Sequence, residues 1–146
     1  SLELVSNTVR EAIHIFPPAP IFGRENIAAD VLGGYDIPAG SNIILCPLRT
    51  QNDSRWFEDS EKFNPHRWTP QLKKKLPRFA YFPFGGGRRI CIGMHLAMME
   101  ATIILAELIR RYKIHRVEDS RLELMPSITL STKTPMKLRL ETRQSM

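Results

Sequence analysis

The chain has 146 residues, of which 42% are hydrophobic, and this length and composition predict one globular domain with a moderate core. Its net charge of +6 favours acidic partners, but dense basic runs are missing and we expect no nucleic-acid partner. Two cysteines exclude a disulfide framework and favour a reducing intracellular compartment. Neither a run of about 18 apolar residues nor a signal peptide is present, and the sequence leaves membrane attachment undecided.

The N-terminal half predicts one helix followed by extended segments. Helical spacing of apolar residues predicts an amphipathic helix over Leu2 to Phe16. Pro17 ends it, because proline disfavours the helical conformation at the residue before it. The pair Gly33-Gly34 predicts the turn of a β-hairpin. Beyond the hairpin we expect a buried strand over Ser41 to Cys46 and a short helix within Arg49 to Phe57.

The C-terminal half predicts an irregular segment, a long helix and several strands. Glu58 to Phe82 shows little periodicity, but its aromatic residues indicate an ordered segment rather than a linker. Its run Lys73-Lys74-Lys75 is interpreted as a solvated loop. Met94 to Tyr112 predicts the clearest helix. The alternation typical of strands follows over Ile114 to Val117, Leu122 to Leu130 and Met136 to Leu140. The predicted fold class is therefore α+β.

A glycine-rich loop around one cysteine carries the chemistry of the chain. Gly85-Gly86-Gly87 allows the backbone to turn sharply and to approach a bulky partner closely. Arg89 and the N-terminus of the following helix supply the positive charge and N–H groups that stabilise a thiolate at Cys91. No second cysteine or histidine lies at zinc-finger spacing. A single thiolate can, however, be the only protein ligand of a haem iron, because the porphyrin supplies four donors.

The loop resembles the haem-thiolate signature of the cytochrome P-450 monooxygenases. The signature Phe-x-x-Gly-x-Arg-x-Cys-x-Gly is matched, at the right spacing, by Phe84, Gly87, Arg89, Cys91 and Gly93. The resemblance implies that Cys91 is the axial ligand of haem b iron and that its thiolate favours O–O cleavage. It implies that Phe84 packs beside the sulfur, and that Gly87 and Gly93 admit close approach of the backbone.

Other segments resemble the same family. Arg24 resembles a basic residue that pairs with a haem propionate, as Arg89 is also expected to do. The hairpin over Gly34 to Gly40, the meander element Phe63 to Trp68 and the last substrate-recognition ribbon over Leu124 to Leu130 are similar too. Residues 1–146 are thus expected to form the C-terminal portion of a single cytochrome P-450 domain: K helix, β hairpins, meander, Cys loop, L helix and terminal β ribbon.

The family's K helix carries Glu-x-x-Arg, and here the arginine is replaced. The spacing gives Glu11 and His14, while Arg67 in the meander remains to meet Glu11, and we expect these three residues to form a structural lock. An imidazole supplies at most two donors where a guanidinium supplies five, and His14 is charged only if its pKa is raised. Arg10, one turn earlier, is a candidate for partial compensation.

The resemblance implies an oxidoreductase that inserts one oxygen atom of O2 into a small organic substrate. An electron-donor protein such as a ferredoxin, flavodoxin or flavoprotein reductase is the expected partner, and the protein is expected to be a monomer. Nothing in the sequence resembles the oxygen-activating distal helix of the family, and we expect a fragment whose catalysis belongs to a longer parent. The alternative is a truncated, non-catalytic remnant that acts at most as a haem-binding or interaction module.

Overall fold

The computed structural model describes residues 1–117, 122–125 and 127–143. It contains four α-helices, two 3₁₀ turns and four two-stranded antiparallel sheets within those residues. The α+β class expected from the sequence is confirmed. Pro126, at the centre of the expected substrate-recognition ribbon, lies outside the described residues.

Helix α1 spans Leu2–Ile15, and Phe16 closes it with a backbone N–H bond to the Ala12 carbonyl. The helix is confirmed, but the side it buries is not the apolar stripe. The buried residues of α1 are Glu11 and His14, both 0% exposed, whereas Leu4 remains 42% exposed. Buried polar groups need partners, so this helix is held by specific hydrogen bonds as well as by apolar contact.

Two ribbons follow α1. Strand β1 (Phe22–Glu25) pairs with β4 (Asn42–Leu45), and β2 (Asp30–Leu32) pairs with β3 (Tyr35–Ile37). The predicted hairpin is confirmed, with positive φ at both glycines of its turn, Gly33-Gly34. The strand expected over Ser41 to Cys46 is confirmed as β4, but its predicted burial is wrong, because a two-stranded ribbon leaves Ile44 63% exposed.

The segment between the ribbons and the cysteine loop holds short helices. Helix α2 spans Pro47–Gln51, a 3₁₀ turn spans Pro65–Arg67, and α3 spans Pro70–Lys75. The helix expected within Arg49 to Phe57 therefore starts and ends earlier, because Pro47 occupies its first turn. The lysine run is an exposed helical turn rather than a loop, since the Thr69 hydroxyl caps α3 by accepting the N–H of Leu72.

Helix α4 spans Met94–Arg111 and confirms the clearest sequence prediction. Strand β5 (Tyr112–Arg116) continues from it and pairs with β8 (Leu138–Thr142). Of the strand expected over Leu122 to Leu130, the described residues form a strand at Leu124–Met125 (β6), which pairs with β7 (Ser131–Thr132) just beyond that range. No helix in the described part of the chain combines the length and hydropathy that a membrane span requires.

The core lies between the C-terminal half of α1 and the segment that precedes the cysteine loop. Its buried apolar residues are Phe57, Trp68, Ala80 and Phe82. Leu72, Leu76 and Tyr81 pack against this cluster. Helix α4 contacts α1 but has no buried residue, so one flank of the molecule is well packed and the other is open.

Candidate haem-thiolate site

The cysteine loop folds back on itself through left-handed glycines. Gly85 and Gly87 have φ values of +73° and +68°, a region that residues with a Cβ rarely adopt. The Cys91 N–H donates to the Phe84 carbonyl at 3.0 Å and closes the loop. Helix α4 starts three residues after Cys91, whose own carbonyl accepts the Met94 N–H at 3.4 Å. The structure thus confirms the prediction that the cysteine lies beside the N-terminus of a helix.

Cys91 is a free, exposed thiol on the wall of an apolar cleft of about 410 Å³. The cleft lies between the loop and the chain that leaves α1, and its lining residues are Pro18, Ala19, Phe22, Arg24, Pro83, Phe84, Gly85, Arg89 and Cys91. Its volume lies in the range of cofactor pockets, and its walls are mainly carbon with two cationic groups. Arg24, which is distant in sequence, therefore meets Phe84, Arg89 and Cys91 of the loop in one cleft.

The positive charges of the two arginines of the cleft are available to a ligand. The Arg24 guanidinium donates to the Gly23 carbonyl at 2.7 Å and stacks on Phe22, whose ring centroid is 5.1 Å away. Within the described residues, neither Arg24 nor Arg89 forms an ion pair with a carboxylate. Two exposed guanidiniums without an acidic partner are suited to bind a dianionic ligand whose apolar body fills the cleft.

The glycines of the loop differ in how strongly the structure requires glycine. A Cβ on Gly86 would lie closer to Cε1 of the Phe79 ring than real Cβ atoms come to their neighbours. A Cβ on Gly93 would lie 3.8 Å from the Cys91 sulfur, an ordinary van der Waals distance. Gly87 has nothing within 4 Å of such a Cβ, and only its positive φ favours glycine. The sequence motif singles out Gly87 and Gly93 and passes over Gly86.

Glu11 is the centre of a buried cluster that ties α1 to the Pro65–Arg67 turn. Its Oε1 accepts Arg67 Nε at 2.9 Å and the Asn64 N–H at 2.8 Å. Its Oε2 accepts Trp68 Nε1, also at 2.9 Å. The Arg67 guanidinium then donates to three backbone carbonyls, those of Glu58, Asp59 and Lys62. The carboxylate is 0% exposed, so its charge is balanced by this geometry rather than by water.

Trp68 is the member of this cluster that the sequence did not reveal. The motif comparison marks Trp68 only as an aromatic residue of the meander. The structure adds an indole N–H that donates to Glu11, a hydrogen bond that phenylalanine cannot form. The signal available in the sequence was a tryptophan directly after Arg67, but nothing in the sequence identified its acceptor.

His14 lies beside this cluster without joining it by a strong hydrogen bond. Its Nδ1 is 3.6 Å from Glu11 Oε2, and neither ring nitrogen has a hydrogen-bond partner within the described residues. Its ring packs 4.3 Å from Phe57 and 5.6 Å from Trp68, centroid to centroid. Burial lowers the pKa of His14, and the Arg67 charge opposes protonation too, although Glu11 favours it. His14 is therefore neutral at neutral pH and acts as an aromatic filler.

Arg10 does not compensate for the missing arginine. Its guanidinium donates to Asn7 at 3.4 Å and stacks on the Trp68 ring at 5.6 Å. It has no ion pair with Glu11. Arg10 instead lines a second cleft of about 580 Å³, together with Lys73, Arg78, Phe79, Ile90 and Gly85 to Gly87. This basic cleft lies against the cysteine loop, and of the three lysines in the run it is Lys73 that borders it.

Similarity to known proteins identifies the family of this chain. The cytochrome P-450 family model matches residues 1–140. The chain belongs to the cytochrome P-450 family. It is 35% identical over 133 residues to cyclooctatin synthase of Streptomyces melanosporofaciens, covering 91% of this chain and 29% of that protein. It is 32% identical over 143 residues to pentalenene oxygenase of Streptomyces avermitilis, covering 98% and 32%.

A solved cytochrome P-450 has the same fold. The cyanobacterial CYP120A1 with bound retinoic acid superposes with a TM-score of 0.89 at 28% identity, over 96% of this chain and 32% of that one. The expected C-terminal portion of the cytochrome P-450 fold is confirmed at this level. The chain spans 29% and 32% of the length of these two Streptomyces relatives, and 19% to 28% of other relatives that it matches. The family binds haem and consists of haem-thiolate monooxygenases, to which this chain is assigned at the family level.

Proposed function

We propose that this chain forms the thiolate side of the haem site of a cytochrome P-450 monooxygenase, with Cys91 as the axial ligand. The observation that carries the proposal is the free Cys91 thiol on the wall of an apolar cleft that also holds Arg24 and Arg89. One thiolate suffices, and the described residues contain no cluster of His, Cys, Asp and Glu able to hold a metal by themselves. Residues 1–146 act in this proposal as one portion of a single domain.

The residues of the cleft fit haem b by their chemistry. Haem has a flat apolar body and two propionates, and the cleft offers carbon walls and two cationic groups. Arg24 and Arg89 would pair with the propionates, while Phe84 would pack beside the sulfur. Gly87 would keep the loop in its left-handed turn and Gly93 would leave the space beside Cys91 free. Bound haem would supply the activation of O2 for transfer of one oxygen atom to a small organic substrate.

Cys91→Ala tests the ligand role. Reduced, haem-loaded full-length protein is treated with carbon monoxide and its Soret band is recorded. We expect the long-wavelength band of thiolate ligation in the native protein and its loss in Cys91→Ala. Cys46→Ala is the matched control, because Cys46 precedes α2 and does not border the cleft; its spectrum should not change. A native protein that takes up no stoichiometric haem would overturn the proposal and favour the non-catalytic remnant.

The basic cleft beside the loop is proposed as the docking site of an acidic electron donor such as a ferredoxin, flavodoxin or flavoprotein reductase. Lys73, Arg78 and Arg10 line this cleft, and so do Gly85 to Gly87 of the loop that carries Cys91. Complementary charge speeds the encounter of two proteins and loses its effect as salt screens it. A donor held there would approach the cysteine loop directly.

Charge reversal of the lysine run tests the docking site. Lys73→Glu in the full-length protein should slow reduction by the donor, and reversal of all three lysines should slow it further. The effect should be largest at low ionic strength. Arg139→Glu, on the exposed strand β8, is the matched control and should leave the rate unchanged. An equal rate for Lys73→Glu and the native protein at low salt would contradict the proposal.

A further inference from the structure

A buried glutamine outside the signature joins the end of α1 to the start of the cysteine loop. Gln51 ends helix α2 and is 0% exposed. Its Nε2 donates to the His14 carbonyl at 2.9 Å and to the Ile13 carbonyl at 3.0 Å. Its Oε1 accepts the Phe82 N–H, also at 3.0 Å. One amide thus bonds three backbone groups from two distant segments.

Both the nitrogen and the oxygen of the Gln51 amide bond backbone groups that need a hydrogen-bond partner. The carbonyls of the last helical turn have no intrahelical donors, and two of them are satisfied by Gln51. The Phe82 N–H lies in an irregular segment, where no ladder or helix bond is available to it. Phe82 is itself 8% exposed, so its N–H has little access to water. Removing the side chain of Gln51 therefore leaves three backbone groups without this partner, two in buried bonds and one, the Ile13 carbonyl, in a part-buried bond.

From Phe82 the connection continues to the cysteine in two hydrogen bonds. The Phe82 carbonyl accepts the Gly85 N–H at 2.9 Å, which fixes the turn that places Phe84. The Phe84 carbonyl accepts the Cys91 N–H at 3.0 Å. The Phe82 ring also meets Phe22 of the cleft wall edge-on, 6.1 Å between centroids. The position of the Phe82 backbone thus bears on both the loop and the cleft.

We propose that Gln51 is a positioning residue for Cys91, acting through the Phe82 backbone and the Phe84 carbonyl. Its part in haem ligation rests on the proposed role of Cys91. Its part in ordering the loop does not, because the three hydrogen bonds exist in the polypeptide alone. The two parts can therefore be tested separately.

The neighbouring residue provides a matched control. Asn52 also bonds the end of α1, since its Nδ2 donates to the Ile15 carbonyl at 3.2 Å and to the Leu48 carbonyl at 2.8 Å. The Asn52 side chain forms no hydrogen bond to Phe82 or the cysteine loop among the described residues, and its backbone carbonyl, which accepts the Ser60 hydroxyl at 2.8 Å, is kept in an alanine variant. Asn52→Ala therefore removes bonds at the same helix end and leaves the Phe82 N–H paired with Gln51.

The first experiment follows amide hydrogen exchange in the haem-free and haem-loaded full-length protein. In Gln51→Met, a variant of similar length without the amide, the Phe82 and Cys91 N–H groups should exchange about tenfold faster or more. In Asn52→Ala these two amides should keep their native rates. Equal acceleration in both variants would mean a general loss of stability and would overturn the proposal. If Gln51→Met does not fold, the native protein decides: a Phe82 amide that exchanges as fast as exposed loop amides overturns it.

The second experiment records the carbon monoxide complex of the reduced, haem-loaded protein. Gln51→Met should shift part of the Soret intensity from the band of thiolate ligation to the shorter-wavelength band of a lost thiolate, at unchanged total haem. Asn52→Ala should show the native band. No thiolate band in the native protein would refute the ligand role of Cys91, and the exchange rates would still decide the role of Gln51. A native spectrum in Gln51→Met combined with fast Cys91 exchange would refute the proposed effect on ligation.

Discussion

The cluster around Glu11 differs from the cysteine loop with helix α4 in burial and in the pairing of polar groups. In the Glu11 cluster, a guanidinium and an indole each donate to the buried carboxylate at 2.9 Å, away from water. In the loop, Cys91 and Arg89 are exposed, and α4 buries none of its residues. The cluster is complete within this chain, whereas the loop offers a thiol and cationic groups to a ligand. Substitutions in the first should therefore change stability, and substitutions in the second should chiefly change binding.

The largest expected effect on stability is that of Glu11→Gln. The amide cannot balance the Arg67 charge, and the Arg67 side chain is 8% exposed. Breaking a buried ion pair by removing one charge costs about 3–5 kcal/mol. Urea unfolding of the full-length protein, with an unchanged dependence on urea concentration, measures the loss.

Trp68→Phe provides the graded comparison for Glu11→Gln. It keeps an aromatic ring and removes a single donor to the carboxylate, which costs about 1.5–3 kcal/mol for a bond to a charged group. Equal losses for the two variants, or a loss below about 1 kcal/mol for Glu11→Gln, would contradict the cluster as described.

The second prediction concerns the loss of folding stability at acidic pH that results from the burial of His14. Because burial lowers its pKa from the ordinary value of 6.5, the unfolded chain binds a proton more readily than the folded one. Stability should therefore be full above about pH 6.5 and should fall as the pH decreases towards the depressed pKa. The charged groups that face His14 are Glu11 on its own helix and Arg67 opposite. The neutral Gln51 amide donates to the His14 backbone carbonyl at 2.9 Å.

His14→Gln isolates this contribution, since it keeps a polar side chain that does not titrate. Unfolding is measured at pH 7.5 and pH 5.5, and the difference between these two free energies should be smaller in the variant than in the native protein. Carboxylates titrate in both proteins. Subtracting the pH-dependent change in unfolding free energy of the variant from that of the native protein therefore removes the contribution of the carboxylates. A pH dependence that is the same in both would show that His14 is not kept neutral by the fold.

The smallest expected effect lies in the loop and separates its glycines. Gly86→Ala places a Cβ against the Phe79 ring, and we expect a loss of about 1 kcal/mol, because that ring is half exposed and can move. Gly93→Ala makes an ordinary contact with the Cys91 sulfur and should have less effect on unfolding. In a Phe79→Ala background the loss from Gly86→Ala should disappear. Persistence of the loss in that background would show that the ring is not its cause.

Some expectations depended on local pattern and were reliable for that reason. Proline and glycine restrict the backbone wherever they occur, so the end of α1 before Pro17 and the hairpin turn at Gly33-Gly34 were predictable. The periodicity of α4 gave its bounds to within one residue. Burial was predicted less well, since an apolar pattern does not tell whether another element covers it, as Ile44 illustrates.

The sequence by itself determined which chemical groups the loop carries, because Phe84, Gly87, Arg89, Cys91 and Gly93 lie within ten consecutive residues. Only the tertiary structure decided which distant groups meet. The Trp68 N–H facing Glu11, the neutral environment of His14 and the Gln51 bridge each join residues at least 31 positions apart or arise from burial. Hydrogen bonds and desolvation depend on distances in space, and those distances are set by the packing of α1 against the segment that leads to Cys91.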